Sequence, residues 1–159
     1  MKKTLLIILS LLVLIQFIRP SRNINSEISS NEISGHYSVP ENVKSILKRS
    51  CNDCHTNNTI YPWYSNIQPV GWWLQYHINE GKKELNFSEF GSYPTKKQNH
   101  KLKEIVETIE KNEMPIDSYL WTHKEATLSA GDSKIIMDWA RGLSTEITVR
   151  YNLPPDEHH

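Results

Sequence analysis

Both cysteines of this 159-residue chain fall in one pentad, Cys51-Asn52-Asp53-Cys54-His55. The pattern C-x-x-C-H is the attachment signature of c-type haem. Each thiol can add across a haem vinyl group, which places the adjacent histidine to meet the iron as proximal axial ligand. A chain carrying such a pentad has to fold around a rigid, planar, largely apolar group. Other uses of the pair are weaker. A disulfide across two intervening residues closes a very small loop and constrains the unfolded chain little. A thioredoxin-like redox pair would follow a β-branched strand, and none precedes Cys51. Zinc would need Cys51 and Cys54 together with two of His55, His77 and His123.

The N-terminus bears on whether attachment can occur. Lys2 and Lys3 precede an uncharged run from Thr4 to Ile18, which stops at Arg19-Pro20. A basic start before an apolar segment is an export signal. Its 15 residues suit a signal-peptide core and fall short of the roughly 17–25 of a spanning helix. No small-x-small cleavage site follows, so residues 1–19 are expected to act as a signal anchor, with a cleaved signal peptide as the alternative. Either way the rest is delivered outside the cytoplasm, on the periplasmic side, with residues 4–18 holding it to the inner membrane. Acidic and basic residues balance, 18 against 18, and nothing resembles a basic nucleic-acid surface.

Residues 20–39 are rich in Ser and Asn, with isolated isoleucines and no helical period, and are expected to form a flexible tether. Four helical segments follow within 40–143. The first covers about Glu41 to Ser50, with Val43, Ile46 and Leu47 on one face, and runs directly into Cys51. The second covers Val70 to about Glu80, with Gly81 as its stop and Trp73, Leu74, His77 and Ile78 facing inward. The third covers Thr95 to Asn112, striped by Leu102, Ile105, Val106 and Ile109, and Pro115 halts it. The last starts after Ser129, an N-cap with Asp132 at the third helical position, and runs to Gly142 or Leu143. Residues 144–159 are expected to be a tail with one β-prone run, Ile147 to Tyr151. His158 and His159 are assigned no chemistry. The chain is therefore expected to be mainly α.

An iron held by His55 needs a second axial ligand or an open site. Met114 lies in Glu113-Met114-Pro115, where proline ends the helix and fixes the backbone after the sulfur. His77 is the rival, and His123 a third candidate. Met137, on the last helix, reads as a core residue. The proximal ring should donate its other hydrogen to a backbone carbonyl, for which Pro62 and Pro69 are the candidates. Trp63, Tyr64, Trp72 and Trp73 are expected to wrap the porphyrin, since aromatics bury large area and can aim a donor at a propionate.

The stretch from Cys51 to Phe90, with YPWYSN and WW-x-x-x-H, then EMP, SYLWTHKEATLS and the IIMDWA helix, resembles the haem-binding domain family of exported bacterial proteins, related to monohaem cytochrome c. The resemblance covers about Val39 to Leu143. It implies a small cytochrome c-like helical domain around one haem c, bound covalently by Cys51 and Cys54 with His55 proximal. An N-terminal membrane helix and tether would precede it. Some family members are fused to peroxidase-type domains, for which these residues leave no room. The expected role is electron transfer with redox partner proteins of the periplasm or membrane, and no enzymatic activity. The alternative is a haem-based sensor or small peroxidase with an open or displaceable sixth site.

Overall fold

The computed structural model describes residues 1–25 and 27–154 and is built from helices, with no strand among the described residues. Ser26, within the expected tether, and residues 155–159 of the expected tail, including His158 and His159, lie outside them. The helices are α1 (Lys2–Ile15), α2 (Ile33–His36), α3 (Glu41–Ser50), α4 (Asn52–His55), α5 (Val70–Glu84), α6 (Thr95–Glu110), α7 (Asp117–Leu120) and α8 (Ala130–Arg150). Short 3-10 turns stand at Trp63–Asn66, Phe87–Ser92 and Lys124–Ala126.

Helix α3 forms where Pro40 opens it and Glu41 sits in its first turn, with Lys48 and Arg49 in the last, charges that complement the helix dipole. Val43, Ile46, Leu47 and Ser50 make its buried stripe. At Cys51 the backbone breaks to φ −128° while its N–H still closes on Leu47. The Cys51 carbonyl then accepts from the N–H groups of Cys54 and His55. The pentad is thus a single turn, α4, started by the residue that ends α3.

Helices α6 and α8 make the most extensive contact, and α3 lies on α8. Leu102, Ile105, Val106 and Ile109 of α6 meet Ile136, Ala140, Leu143 and Ile147 of α8 in one core with the α3 stripe. Helix α8 begins with a capping box: the Ser129 hydroxyl accepts from the Asp132 N–H, and the Asp132 carboxylate accepts from the Ser129 N–H.

Three expectations are corrected here. The last helix continues to Arg150, and Ile147, placed by sequence in a β-prone tail, is fully buried. Burying an isoleucine contributes about 1.5–3 kcal/mol, which outweighs its small helix-propensity deficit. The expected tether is packed: Asn23, Ile33, Tyr37 and Val39 are buried, and Tyr37 donates to Gln98. Ile33, Tyr37 and Val39 join a core made mostly by residues distant in sequence, while Ile24 and Ile28 stay exposed, so no local period betrays the packing. Finally, α1 has 14 residues, none buried. At 1.5 Å per residue it is about 21 Å long, against roughly 30 Å of hydrocarbon. Among the described residues no helix is long and apolar enough to cross a membrane, so the expected membrane helix is not found.

Candidate functional site

A cavity of about 430 Å³ opens beside α4, within the usual range for small-molecule and cofactor sites. Cys51, Cys54 and His55 line it, as do His77 from α5 and Met114 from the loop after α6. Leu47, Leu85, Phe87, Ile105 and Ile136 supply apolar wall.

The His55 imidazole is fixed by a 2.9 Å hydrogen bond between Nδ1 and the Leu85 carbonyl. A carbonyl only accepts, so Nδ1 carries the hydrogen and Nε2 keeps its lone pair for a metal. Burial pushes the ring's pKa down, against a smaller upward pull from the Leu85 and Gly81 carbonyls. His55 is therefore neutral at neutral pH, the form that ligates. Leu85 closes the C-terminus of α5, where carbonyls lack helical partners. That position, rather than Pro62 or Pro69, supplies the acceptor because α4 packs on this end of α5. The packing depends on Gly81. A Cβ there would stand 2.9 Å from the Cys54 carbonyl oxygen and 3.0 Å from the Cys54 Cβ. Gly81 does not stop the helix, which runs on to Glu84.

Burial pushes the Cys51 thiol up to about 12 and the Cys54 thiol up to about 11. The two sulfurs are unbridged. A thioredoxin-like pair needs a depressed thiol pKa, and these thiols are the reverse. No group of three or more His, Cys, Asp or Glu is arranged for a metal ion among the described residues. Between the thiols, Asp53 spends both carboxylate oxygens, one on the Ile60 N–H at 3.0 Å and one on the Tyr119 hydroxyl at 2.8 Å. Two neutral neighbouring thiols, an imidazole with Nε2 free and an apolar wall fit a haem.

Both rival axial donors reach the cavity. Met114 is 40% exposed. His77 donates from Nδ1 to the Trp73 carbonyl at 2.9 Å, which leaves its Nε2 available. His123 does not line the cavity. It stacks on Tyr119 at 4.2 Å, with Nδ1 within 3.2 Å of the Tyr119 carbonyl. Met137 packs against the core.

The expected aromatic wrapping is corrected: none of Trp63, Tyr64, Trp72 and Trp73 lines the cavity. Trp63 is 75% exposed and Trp73 45%. Tyr64 bonds Thr122 through its hydroxyl, and Trp72 donates to the Ile18 carbonyl. The buried residues of α5 are Gly71, Gln75 and Ile78; of the expected inward set, Ile78 is fully buried, His77 lines the cavity and Trp73 is exposed. The aromatic groups at the cavity are Phe87, edge-on to His55 at 6.4 Å, and Tyr119. Lys101 is a further residue no pattern marked. Its side chain is 9% exposed on the cavity wall, with Nζ 2.6 Å from Glu104 and 3.3 Å from Glu84. Burial pulls its pKa down, and the two carboxylates more than offset that, so it stays charged. Lysine is ordinarily a surface residue, so its burial beside Leu102 on α6 is hidden from periodicity.

A family model described as a haem-binding domain matches residues 10–142, which include the pentad, the cavity wall and Met114. No curated protein and no solved structure matches the chain. The chain belongs to the haem-binding domain family.

Proposed function

We propose that this protein carries one haem, covalently attached, and passes electrons outside the cytoplasm. The observation that carries the reading is the His55 ring, oriented through Nδ1 to Leu85 beside two neutral thiols on the same turn. Bound there, haem supplies one-electron chemistry. The chain's part is to attach, ligate and enclose it. Cys51 and Cys54 would attach it by adding each S–H across a vinyl C=C, the sulfur to one carbon and the hydrogen to the other. Nothing leaves, so the protein's mass rises by one whole haem. His55 through Nε2 and Met114 through its sulfur would hold the iron, since both reach the cavity, Met114 on a loop between Pro115 and the α7 turn.

Lys2, Lys3 and the apolar run to Ile18 act as the export signal and hold the protein at the membrane. Its partners there are redox proteins, and it is a carrier rather than an enzyme. A second reading, a gas sensor or small peroxidase, rests on the exposure of Met114, which makes its sulfur displaceable. Protein matured in a periplasm competent for cytochrome c should retain its pigment through acid–acetone extraction and show the haem-increased mass. Pigment that extracts freely sinks the covalent reading. Reduced protein that binds carbon monoxide rapidly at neutral pH favours the sensor.

A further inference from the structure

The segment after α1 is pinned to the domain by a series of hydrogen bonds. Gln16 forms a two-way amide pair with the backbone of Gln68, at 3.0 Å and 2.9 Å. The Trp72 indole donates to the Ile18 carbonyl at 2.8 Å, and Arg22 donates to Asn66 at 2.6 Å. Asn23 is buried, bonding Thr56 and Thr59 through its side chain and Tyr61 through its N–H. The exit of α1 is therefore fixed against residues 66–72, the stretch that opens α5.

Ile67 and Val70 lie in that stretch and Trp63 and Trp73 flank it, and none of the four lines the cavity. Trp63, Ile67, Val70 and Trp73 are 75%, 46%, 40% and 45% exposed, and Phe17 and Ile18 beside them are 80% and 63% exposed. Scattered surface apolar residues need no explanation, but a contiguous set does. Ile67 and Val70 stand beside Gln68 and Trp72, which bond Gln16 and Ile18, so the set adjoins the end of α1, an apolar helix with no buried residue. Tryptophan favours the level of lipid headgroups, where its ring is apolar and its N–H polar. Arg19 and Arg22 lie at the junction, where they can meet lipid phosphates.

We infer that Phe17, Ile18, Trp63, Ile67, Val70 and Trp73 form a face that seats the domain on a phospholipid bilayer, with α1 inserted beneath it. The inference rests on the membrane reading of α1 given above. Its occupant is a lipid surface because the face is continuous with an apolar helix that the rest of the chain leaves uncovered. The geometry has a consequence for the haem. Helix α5 starts at this face with Val70 and ends at Leu85, whose carbonyl orients His55. Trp73 of the face also packs at 4.4 Å on the ring of His77, which lines the cavity, so the site is held in a set position relative to the bilayer rather than swinging on a tether.

The test uses the full-length holoprotein before and after addition of vesicles of phosphatidylethanolamine and phosphatidylglycerol. Flotation reports binding, and hydroxyl-radical labelling read by mass spectrometry reports each side chain, with Tyr151 on α8 as reference. Labelling of Trp63 and Trp73 should fall by about threefold or more on binding, while Tyr151 is unchanged. Protein that floats with Trp63 and Trp73 labelled as before overturns the seated face and leaves α1 as the sole contact. Protein that does not float overturns the membrane reading of α1 and this inference with it.

Discussion

The Tyr119 hydroxyl donates to the Asp53 carboxylate at 2.8 Å, tying the loop after Met114 to the middle of the cysteine pentad. Burial first, and the Asp53 charge next, push the phenol pKa far above its ordinary value, so it stays a donor across the working pH range. The loop bearing Met114 is thereby held against the turn bearing His55.

Tyr119→Phe should leave Asp53 with one partner fewer and free that loop. A hydrogen bond to a charged acceptor contributes about 1.5–3 kcal/mol, so urea unfolding of the holoprotein should show a loss of that order. The same variant should bind exogenous imidazole more readily, because the sixth site is less firmly filled.

Gly81→Ala sets two effects against each other. Alanine gains about 1 kcal/mol in helix propensity, but its Cβ meets the backbone carbonyl of Cys54 at 2.9 Å. Backbone contacts on both sides cannot yield cheaply, and overpacking of this kind costs about 1–3 kcal/mol. Net destabilisation and a lower haem yield per chain are expected. A variant as stable as the parent would show that α4 and α5 do not need this approach.

Met114→Ala should convert a six-coordinate low-spin haem to a high-spin form, seen in the visible spectrum, and His77→Ala should leave the spectrum unchanged. The reverse pattern assigns His77 as the ligand, with a lower potential in the parent protein, since thioether ligation raises it relative to a second imidazole.

The Asp132 carboxyl is held below the usual carboxylate range, first by the Ser129 hydroxyl and N–H, with Arg49 adding to the effect. A depressed folded pKa stabilises above the unfolded value of about 3.9 and is lost as pH falls through the folded value. Ser129→Ala should cost about 1 kcal/mol at neutral pH. The gap between variant and parent should narrow below about pH 4, as measured by unfolding at each pH.

Much of the site could be read in advance wherever its chemistry is local. Cys51, Cys54 and His55 are consecutive enough to define one turn, and Met114 and His77, singled out from flanking proline and helical face, both reach the cavity. The aromatic choices failed because tryptophan and tyrosine serve a pocket, a core or an interface equally well. Composition does not separate those fates, and the side of α5 on which they stand depends on how Gly71, Gln75 and Ile78 pack.

From its order of residues alone, this chain determined its helical class, the start of each main helix, and the pairing of two thiols with an imidazole, because covalent spacing and capping act over a few residues. Only the tertiary structure decided that Leu85 orients His55, that Tyr119 clasps Asp53, that Asn23, Ile33, Tyr37 and Val39 are buried in the domain and that α8 runs to Arg150. Those outcomes depend on burial and hydrogen bonds between groups about 20 to 70 residues apart, whose approach is set by the packing of whole helices and by no local pattern.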